Sequence, residues 1–251
     1  MDANIAYPAS LIGDPTRAAI LVALFDGRAQ PASALAHAAN VSAQAASNHL
    51  AKLSEGGLLA VEVQGRHRYY RLAAPEIATA LEALANVAAH LRPLREPLTR
   101  KGRALRFARC CYDHLAGQLG VAITATLETR GLLVASGPGA KLYEVTPAGR
   151  RWFADFGIDV DAYRGRRPLA RRCLDWTERR HHLAGMAGGA LLARLEALDW
   201  LLRDRETRAV RMTELGALKL HEALGIDPGT LIDARVDERD RSSTAMSTGV
   251  A

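Results

Sequence analysis

An internal repeat in the second half of this 251-residue chain constrains its fold more than any other feature. When the sequence is shifted by 68 positions, His114-Leu115-Ala116-Gly117 falls on His182-Leu183-Ala184-Gly185. Further along, Gly157-Ile158-Asp159 falls on Gly225-Ile226-Asp227. Repeated units generally bury a face against their neighbour. We therefore expect copies at about 110–159 and 178–227 to pack as a pseudo-twofold pair within a domain covering residues 101–228.

The sequence pattern within each copy predicts a helix, a hairpin and a second helix. A long helix containing His-Leu-Ala-Gly leads into two short strands, which are joined by turns at 136–139 and 205–207. A closing helix follows, and Thr146 or Thr213 stands where an N-cap is expected. The predicted class is mainly α with small β-hairpins (α+β), in which a duplicated helix-hairpin-helix domain forms the second half.

Residues 1–98 carry the signals of a winged helix-turn-helix. Asp14 precedes Pro15 as the N-cap of one helix. A short helix is predicted from Pro31 to Ala39, and Ser42 caps a second helix from Ala43 to about Ser54. Two alternating strands, 59–64 and 67–72, flank a Gly-Arg turn. In this architecture the second helix of the motif fits the major groove, and the hairpin reaches phosphates or the minor groove.

The predicted DNA contacts are polar or basic side chains on the second helix and at the hairpin tip. They are Ser42, Gln44, Ser47, Asn48, His49, Lys52, Arg66, His67 and Arg68. Short polar side chains read base edges and cations bind phosphates, so this combination favours double-stranded DNA as a partner. The alternative is a protein-interaction module that uses the winged helix as a dimer scaffold.

Three segments together resemble the ArsR/SmtB family of dimeric bacterial repressors. They are Gly13 to Arg17, Val41 to Leu50 and Gly65 to Tyr70, within about residues 5–92. The resemblance implies a homodimer on a pseudo-palindromic operator, with a helix over about 75–91 packed against the partner subunit. The segment that corresponds to the family's cysteine box, 32–39, contains no cysteine. The terminal helix offers only Glu76, Glu82 and His90, a poor ligand set, so the family's sensing chemistry does not transfer.

Three interpretations of the second domain remain open. The first is a small organic effector bound between the repeats, and the second is a soft-metal or thiol-redox site. The third is purely structural, with the cysteines and histidines packed in the core. The effector-binding candidates are Cys111, His114, Cys173, Trp176, Glu178 and His182, and the metal-ligand candidates are Cys110, Cys111, His114, Cys173 and His182. Cys110, Cys111 and His114 are expected on one helix, as are Glu178 and His182, an i, i+4 pair.

Composition limits the remaining function classes. No apolar run reaches the roughly 18 residues of a membrane span, and the N-terminus lacks the layout of a signal peptide. The net charge of +6 admits a nucleic-acid partner, although the basic excess lies in the second half. No phosphate loop, Ser-His-Asp layout or HExxH motif is present, which argues against an enzyme. We predict a cytoplasmic, homodimeric repressor controlled by an effector, needing no cofactor to bind DNA, with a disordered tail over 229–251.

Overall fold

A computed structural model describes residues 4–65, 67–91, 99–137, 139–165, 167–204 and 207–231. The chain divides into two compact units, Met1–Ala88 and Ala89–Ala251. Residues 92–98 and most of the predicted disordered tail lie outside the described residues. Where that tail prediction begins, Pro228–Thr230 instead form a short 3-10 helix. Among the described residues, no helix combines the length and the apolarity that crossing a membrane requires.

The first unit contains a helix-turn-helix followed by an antiparallel hairpin. Its elements are α1 (Ala6–Ile12), α2 (Pro15–Ala23), β1 (Gln30–Pro31), α3 (Ala32–Ala38), α4 (Ala43–Glu55), β2 (Leu59–Gln64), β3 (His67–Leu72) and α5 (Pro75–Leu91). The three strands form one sheet in the order β1-β3-β2, and β2 pairs with β3 from Leu59↔Leu72 to Gln64↔His67. This is the winged helix-turn-helix arrangement predicted above.

Side-chain caps fix where α2 and α4 begin. Asp14 accepts a hydrogen bond from the backbone N–H of Arg17 at 2.9 Å, and Ser42 accepts one from the N–H of Ala45 at 3.2 Å. Each cap satisfies a backbone donor that the first turn of a helix leaves without a partner. α1, which was not predicted from the sequence, begins at Ala6, and its N-cap residue Ile5 makes no side-chain cap, so it lacks this signal.

The second unit alternates short hairpins with helices. Its elements are α6 (Arg100–Phe107), β4 (Arg109–Cys111), β5 (His114–Ala116), α7 (Gly117–Thr129), β6 (Leu133–Ala135), β7 (Tyr143–Val145), α8 (Pro147–Asp155), β8 (Arg171–Leu174), β9 (His181–Ala184), α9 (Gly185–Ala197), β10 (Leu201–Arg203), β11 (Val210–Met212) and α10 (Glu214–Leu224). The pairs β4-β5, β6-β7, β8-β9 and β10-β11 are antiparallel hairpins. Thr146 and Thr213 cap α8 and α10, as predicted.

The prediction of a long helix containing His-Leu-Ala-Gly is wrong at its N-terminal end. His-Leu-Ala forms β5 or β9, and the helix begins only at the glycine that follows. Gly117 and Gly185 adopt φ values of +82° and +81°, which reverse the chain between strand and helix. A Cβ on Gly117 would lie 2.6 Å from the carbonyl oxygen of Arg106, so only glycine allows these two backbone segments to approach so closely.

Backbone hydrogen bonds between strands join the two repeats of the second unit to each other. The N–H of Cys110 donates to the carbonyl of Arg208 at 2.8 Å, and the N–H of Val210 donates to the carbonyl of Ala108 at 2.9 Å. The equivalent bonds run from Arg172 to Lys141 at 3.0 Å and from Tyr143 to Ala170 at 3.1 Å. β8 begins at Arg171, before the predicted start of the second copy at 178. The constant shift of 68 positions misses this strand, because eight residues separate Cys173 from His182 whereas only two separate Cys111 from His114.

Candidate metal centre and DNA-binding surface

The outward face of α4 carries the predicted base-contacting side chains. Ala46, Leu50 and Leu53 are buried on its inner face. The exposed predicted residues of α4 and its cap are Ser42, Gln44, Ser47, Asn48 and Lys52. The spacing of the apolar residues therefore orients the helix so that short amides and hydroxyls face outward at its N-terminal half, the part that reads base edges in helix-turn-helix proteins.

His49 is placed differently from the other residues of this predicted set. It is half-buried, and its Nδ1 lies 3.6 Å from Oδ1 of Asp14. The hydrogen bond from the Arg17 N–H, together with the charges of Arg17 and His49, lowers the pKa of the Asp14 carboxyl. His49 thus lies beside the cap of α2. At the wing, His67 and Arg68 are exposed, and Arg66 lies outside the described residues.

Two hairpins of the second unit bring four buried metal-ligating side chains together. Cys111 pairs across β4-β5 with His114, and Cys173 pairs across β8-β9 with His182. Directly opposed residues of an antiparallel pair project from the same face, so each hairpin presents one thiol and one imidazole. One ligand atom from each of the four side chains lies within 4.8 Å of all the others, and we call this group the Cys2His2 cluster.

Cys110 lies outside the Cys2His2 cluster although the sequence places it among the metal candidates. The segment is a strand and not the expected helix, so adjacent residues point to opposite faces. The Cys110 side chain belongs to the main apolar core of the unit, and its Sγ lies 3.4 Å from the carbonyl oxygen of Tyr112. Cys111 and Cys173 instead pack with Ala116 and Ala184 in a separate small buried group.

The two thiols and the two imidazoles are in close contact. Sγ of Cys111 and Sγ of Cys173 are 3.9 Å apart, and the rings of His114 and His182 stack with centroids 5.1 Å apart. Contact with the Cys111 side chain, followed by those with His114 and His182, lowers the pKa of the Cys173 thiol despite its burial. The surroundings of Cys173 therefore favour the thiolate, which is the form that binds metals.

A carboxylate stands behind His114 at the edge of the cluster. Nδ1 of His114 lies 3.1 Å from Oδ1 of Asp113, and the other carboxylate oxygen accepts a hydrogen bond from Arg167 at 2.5 Å. Burial raises the pKa of the Asp113 carboxyl, but these bonds to His114 and Arg167 outweigh it and lower the pKa to about 2. Asp113 is therefore ionised at neutral pH and favours a proton on Nδ1 of His114.

A second carboxylate, fully buried, lies behind His182. Oδ2 of Asp175 is 3.5 Å from Nδ1 of His182 and accepts the N–H of Gly117 at 2.7 Å. Its Oδ1 accepts a hydrogen bond from Arg109 at 2.8 Å. Burial raises the pKa of Asp175, but the Arg109 and His182 charges outweigh it and hold that pKa well below its usual range. Asp175 is therefore a buried anion that fixes the turn after β8.

Trp176 and Glu178, the remaining predicted effector residues, lie on that turn and outside the cluster. The Arg109 guanidinium carbon is 4.6 Å from the centroid of the Trp176 ring, and Glu178 accepts a hydrogen bond from Arg106 at 3.1 Å. The predicted i, i+4 pairing of Glu178 with His182 is wrong, because residues 175–180 form a turn and His182 belongs to β9. Both side chains instead connect the turn to α6 and β4.

The sequence analysis does not single out Asp113, Asp175 or Arg109 as supporting groups. Asp113 immediately precedes His114, and Asp175 follows Cys173 by two residues, so adjacency to the candidate ligands is the available signal. The sequence gives no signal for Arg109. Charged residues are rarely buried, so an arginine is expected at the surface, but the Arg109 side chain is only 1% exposed.

Comparison with known proteins places this chain among regulators. The family model of a "Helix-turn-helix domain" matches residues 12–62. A protein of Bacillus subtilis strain 168, named as the uncharacterized HTH-type transcriptional regulator YdfF, is 44% identical over 229 residues, which cover 90% of this chain and 99% of that protein. The chain belongs to the HTH-type transcriptional regulators. The similarity extends into the second unit, so the relative shares both units of this regulator.

A second relative matches a shorter part of the chain. The HTH-type transcriptional regulator CmtR of Mycobacterium tuberculosis strain H37Rv is 41% identical over 76 residues, which cover 30% of this chain and 64% of that protein. The NMR structure of the cadmium metal-sensor CMTR from Mycobacterium tuberculosis covers 38% of this chain and 99% of that chain, at 33% identity and a TM-score of 0.30. The sequence matches confirm the ArsR/SmtB resemblance of the N-terminal winged helix-turn-helix.

Proposed function

We propose that this regulator is a homodimeric repressor that binds a pseudo-palindromic operator and is released when its second unit binds an effector. The observation that carries the proposal is the exposed polar face of α4, backed by a basic wing and placed on a cap-anchored helix-turn-helix. Such a helix enters the major groove, and two of them about 34 Å apart match half-sites one turn apart. A protein of this kind acts on DNA in the cytoplasm.

The apolar outer side of α5 supports the homodimer. Ala78 and Leu81 are buried on its inner side, whereas Leu84 and Val87 are about half exposed, at 49% and 53%. Residues three apart share a helical face, so Leu84 and Val87 form one apolar stripe. Burying such a stripe against the same helix of a second copy removes apolar area from water and creates a twofold interface.

The chain order supports control by the second unit. α5 is followed in sequence by residues 92–98 and then by α6, which leads directly into β4 and Cys111. Arg106 at the end of α6 binds Glu178 at 3.1 Å, and Arg109 binds Asp175. A change at the Cys2His2 cluster therefore acts close to α6, the next described helix of the chain after α5. An effector releases DNA if it stabilises a dimer geometry that no longer matches both half-sites.

DNA recognition is tested by selecting duplexes from a randomised library of about 30 base pairs, long enough for two half-sites. Binding of the selected duplex is then measured by fluorescence anisotropy as a function of salt. Asn48→Ala is expected to cost about 1–3 kcal/mol per half-site on the selected duplex and to relax base preference. Lys52→Ala is expected to weaken binding to all duplexes and to lower the salt slope by about 2, because each of the two subunits loses one cation that neutralises a phosphate.

Lys219→Ala is the matched control for the loss of a lysine charge. Lys219 is in α10 of the second unit and pairs with Glu222 at 2.7 Å. Its removal is expected to leave DNA affinity unchanged. If the protein selects no sequence, or if Lys52→Ala and Lys219→Ala behave alike, the DNA-binding assignment is wrong and the interaction-module interpretation replaces it.

A further inference from the structure

We propose that the Cys2His2 cluster binds one borderline-soft divalent cation of the zinc, cadmium or cobalt type, through Sγ of Cys111 and Cys173 and Nε2 of His114 and His182. The ion is the effector of the proposed function, so this inference rests on it. Each half of the second unit supplies one thiolate and one imidazole, and the ion joins the two halves.

The distances fit a tetrahedral ion. Zinc binds sulfur at about 2.3 Å and histidine nitrogen at about 2.0 Å, so two sulfurs on one ion are about 3.8 Å apart. The observed separation of Sγ of Cys111 from Sγ of Cys173 is 3.9 Å. The widest pair of ligand atoms is within 4.8 Å, so closing the site on an ion takes shifts of about 1 Å, within the reach of side-chain rotation.

The surroundings of His182 point to a missing ligand. Its side chain is 1% exposed, and neither ring nitrogen has a hydrogen-bond partner among the described residues. A buried polar group left in that state costs stability, so such groups generally have a ligand, ion or water. An ion on Nε2 places the ring proton on Nδ1, which is the nitrogen closest to the Asp175 carboxylate at 3.5 Å.

A carboxylate lies near Nδ1 of both imidazoles, in the position from which carboxylates generally support metal-binding histidines. Asp113 and Asp175 lie behind Nδ1 of His114 and His182, which leaves Nε2 of each ring as the ligand. A ligand set of two thiolates and two neutral imidazoles selects zinc-type ions over Mg²⁺ and Ca²⁺, which require oxygen ligands. Two thiolates also balance the charge of one divalent ion.

The same geometry weighs against the other two interpretations of these residues. Four side chains whose ligand atoms lie within 4.8 Å leave space for an ion and not for an organic molecule. A disulfide between Cys111 and Cys173 would use neither the two imidazoles nor the two carboxylates, yet the fold brings all of these groups together around the thiols. All four coordination positions are protein side chains, as in closed structural and sensor sites and unlike catalytic ones, which keep a position open.

The two supporting carboxylates differ in exposure. Asp175 is completely buried with Arg109, whereas the side chains of Asp113 and Arg167 are 32% and 43% exposed. Asp113 and Arg167 therefore mark the more exposed side of the cluster.

The test is titration of the full-length, reduced, metal-free protein with Cd²⁺ and with Co²⁺. Calorimetry gives stoichiometry and affinity, and the thiolate charge-transfer and Co²⁺ ligand-field bands report sulfur ligation and tetrahedral geometry. We expect one ion per chain. Cys111→Ala and Cys173→Ala are each expected to weaken binding at least about 100-fold. Removing a residue that only supports a metal ligand already weakens binding by up to about 100-fold, and these two are direct ligands.

Cys110→Ala is the matched control, because it removes a buried cysteine next to a ligand but on the opposite face of β4. It is expected to bind Cd²⁺ as the wild type does. His182→Gln provides a second ligand variant that keeps all three cysteines. Absence of Cd²⁺ binding in the wild type, or equal affinity in Cys110→Ala and Cys173→Ala, would overturn the site.

Measuring DNA affinity on the same samples separates this inference from the proposed function. Sequence-selective DNA binding without any metal binding overturns the site and leaves the repressor intact. Metal binding by a protein that selects no DNA overturns the repressor and supports the site. Binding of both, with DNA affinity unchanged by Cd²⁺, supports the site as a structural clamp and overturns the ion's role as the effector.

Discussion

Buried charges at the base of the cluster are the most consequential single residues of the second unit. Arg109 is 1% exposed and Asp175 is 0% exposed, and Asp175 additionally accepts the backbone N–H groups of Gly117 and Thr177. A buried pair of this kind contributes little net free energy when intact, because desolvation opposes the attraction. Removing one partner is costly, since the other charge stays buried without compensation.

Asp175→Asn is therefore expected to lower the free energy of unfolding of the second unit by about 3–5 kcal/mol. All three tryptophans, at 152, 176 and 200, lie in this unit, so their fluorescence during urea denaturation reports its unfolding. Glu178→Gln is the control, since it weakens the less buried pair with Arg106 and should cost about 1 kcal/mol. Equal small losses in both variants would contradict a structural role for the Asp175–Arg109 pair.

Asp113 makes the second unit sensitive to acid. Its pKa is lowered to about 2 in the folded state, so ionised Asp113 stabilises the fold above its unfolded pKa of about 3.8. That stabilisation is lost as the pH falls from about 4 to about 2. Asp113→Asn should therefore flatten the dependence of unfolding free energy on pH in this window, as measured by urea denaturation at a series of pH values. Parallel curves for both proteins would show that Asp113 is not paired in solution.

Residue identity allowed the cluster's members to be predicted, but not their geometry. Cys111, His114, Cys173 and His182 are all among the predicted ligands, because few other side chains in this unit bind soft metals. The helix assigned to His-Leu-Ala-Gly put the thiols on the wrong element, since apolar periodicity in a short buried run does not separate helix from strand. The exclusion of Cys110 depends on strand alternation and so required the structure.

At the scale of elements, the two glycines that begin α7 and α9 decide how the hairpins meet the helices. Gly117 has φ +82°, and a Cβ there would lie 2.6 Å and 2.9 Å from the carbonyl oxygens of Arg106 and Phe107. Gly131 also has a positive φ, +65°, but a Cβ at that position would meet no atom within 4 Å. The two positions therefore share the conformational cost of a side chain and differ in packing.

Gly117→Ala is expected to cost about 3 kcal/mol, of which about 1 kcal/mol is conformational and about 2 kcal/mol comes from overpacking. Gly131→Ala should cost only the conformational part, about 1 kcal/mol. Urea denaturation followed by tryptophan fluorescence compares them directly. If the two variants lose the same stability, the close approach of α6 to the start of α7 does not hold in solution.

The elements of the first unit were predictable because their ends carry local chemical signals. β2 and β3 have the predicted bounds, and α4 begins at the predicted cap, Ser42. β6, β7 and the caps Thr146 and Thr213 were equally readable. β4 and β8 were not, because each is a short strand whose partner in the ladder includes residues from the other half of the unit, and no local pattern records that pairing.

At the scale of the whole molecule, the proposed dimer depends on the outer stripe of α5. Val87→Glu places a charge in the proposed interface, and burying an unpaired charge is unfavourable. We expect the variant to sediment as a monomer at concentrations where the wild type is a dimer, while its circular dichroism is unchanged. Leu218→Glu, on the exposed face of α10, is the matched control and should stay dimeric. If both variants are dimers, or both are monomers, dimerisation through α5 is contradicted.

We infer that a divalent ion in the second unit controls DNA binding by the first. The most direct test is the anisotropy of the selected duplex with the wild type, Cys173→Ala and Cys110→Ala, each measured metal-free and with saturating Cd²⁺. We expect Cd²⁺ to weaken DNA binding by about 5–150-fold in the wild type and in Cys110→Ala, the usual range of coupling between two sites. Cys173→Ala should bind DNA equally with and without the ion. An equal Cd²⁺ effect in Cys173→Ala, or none in the wild type, would contradict the account.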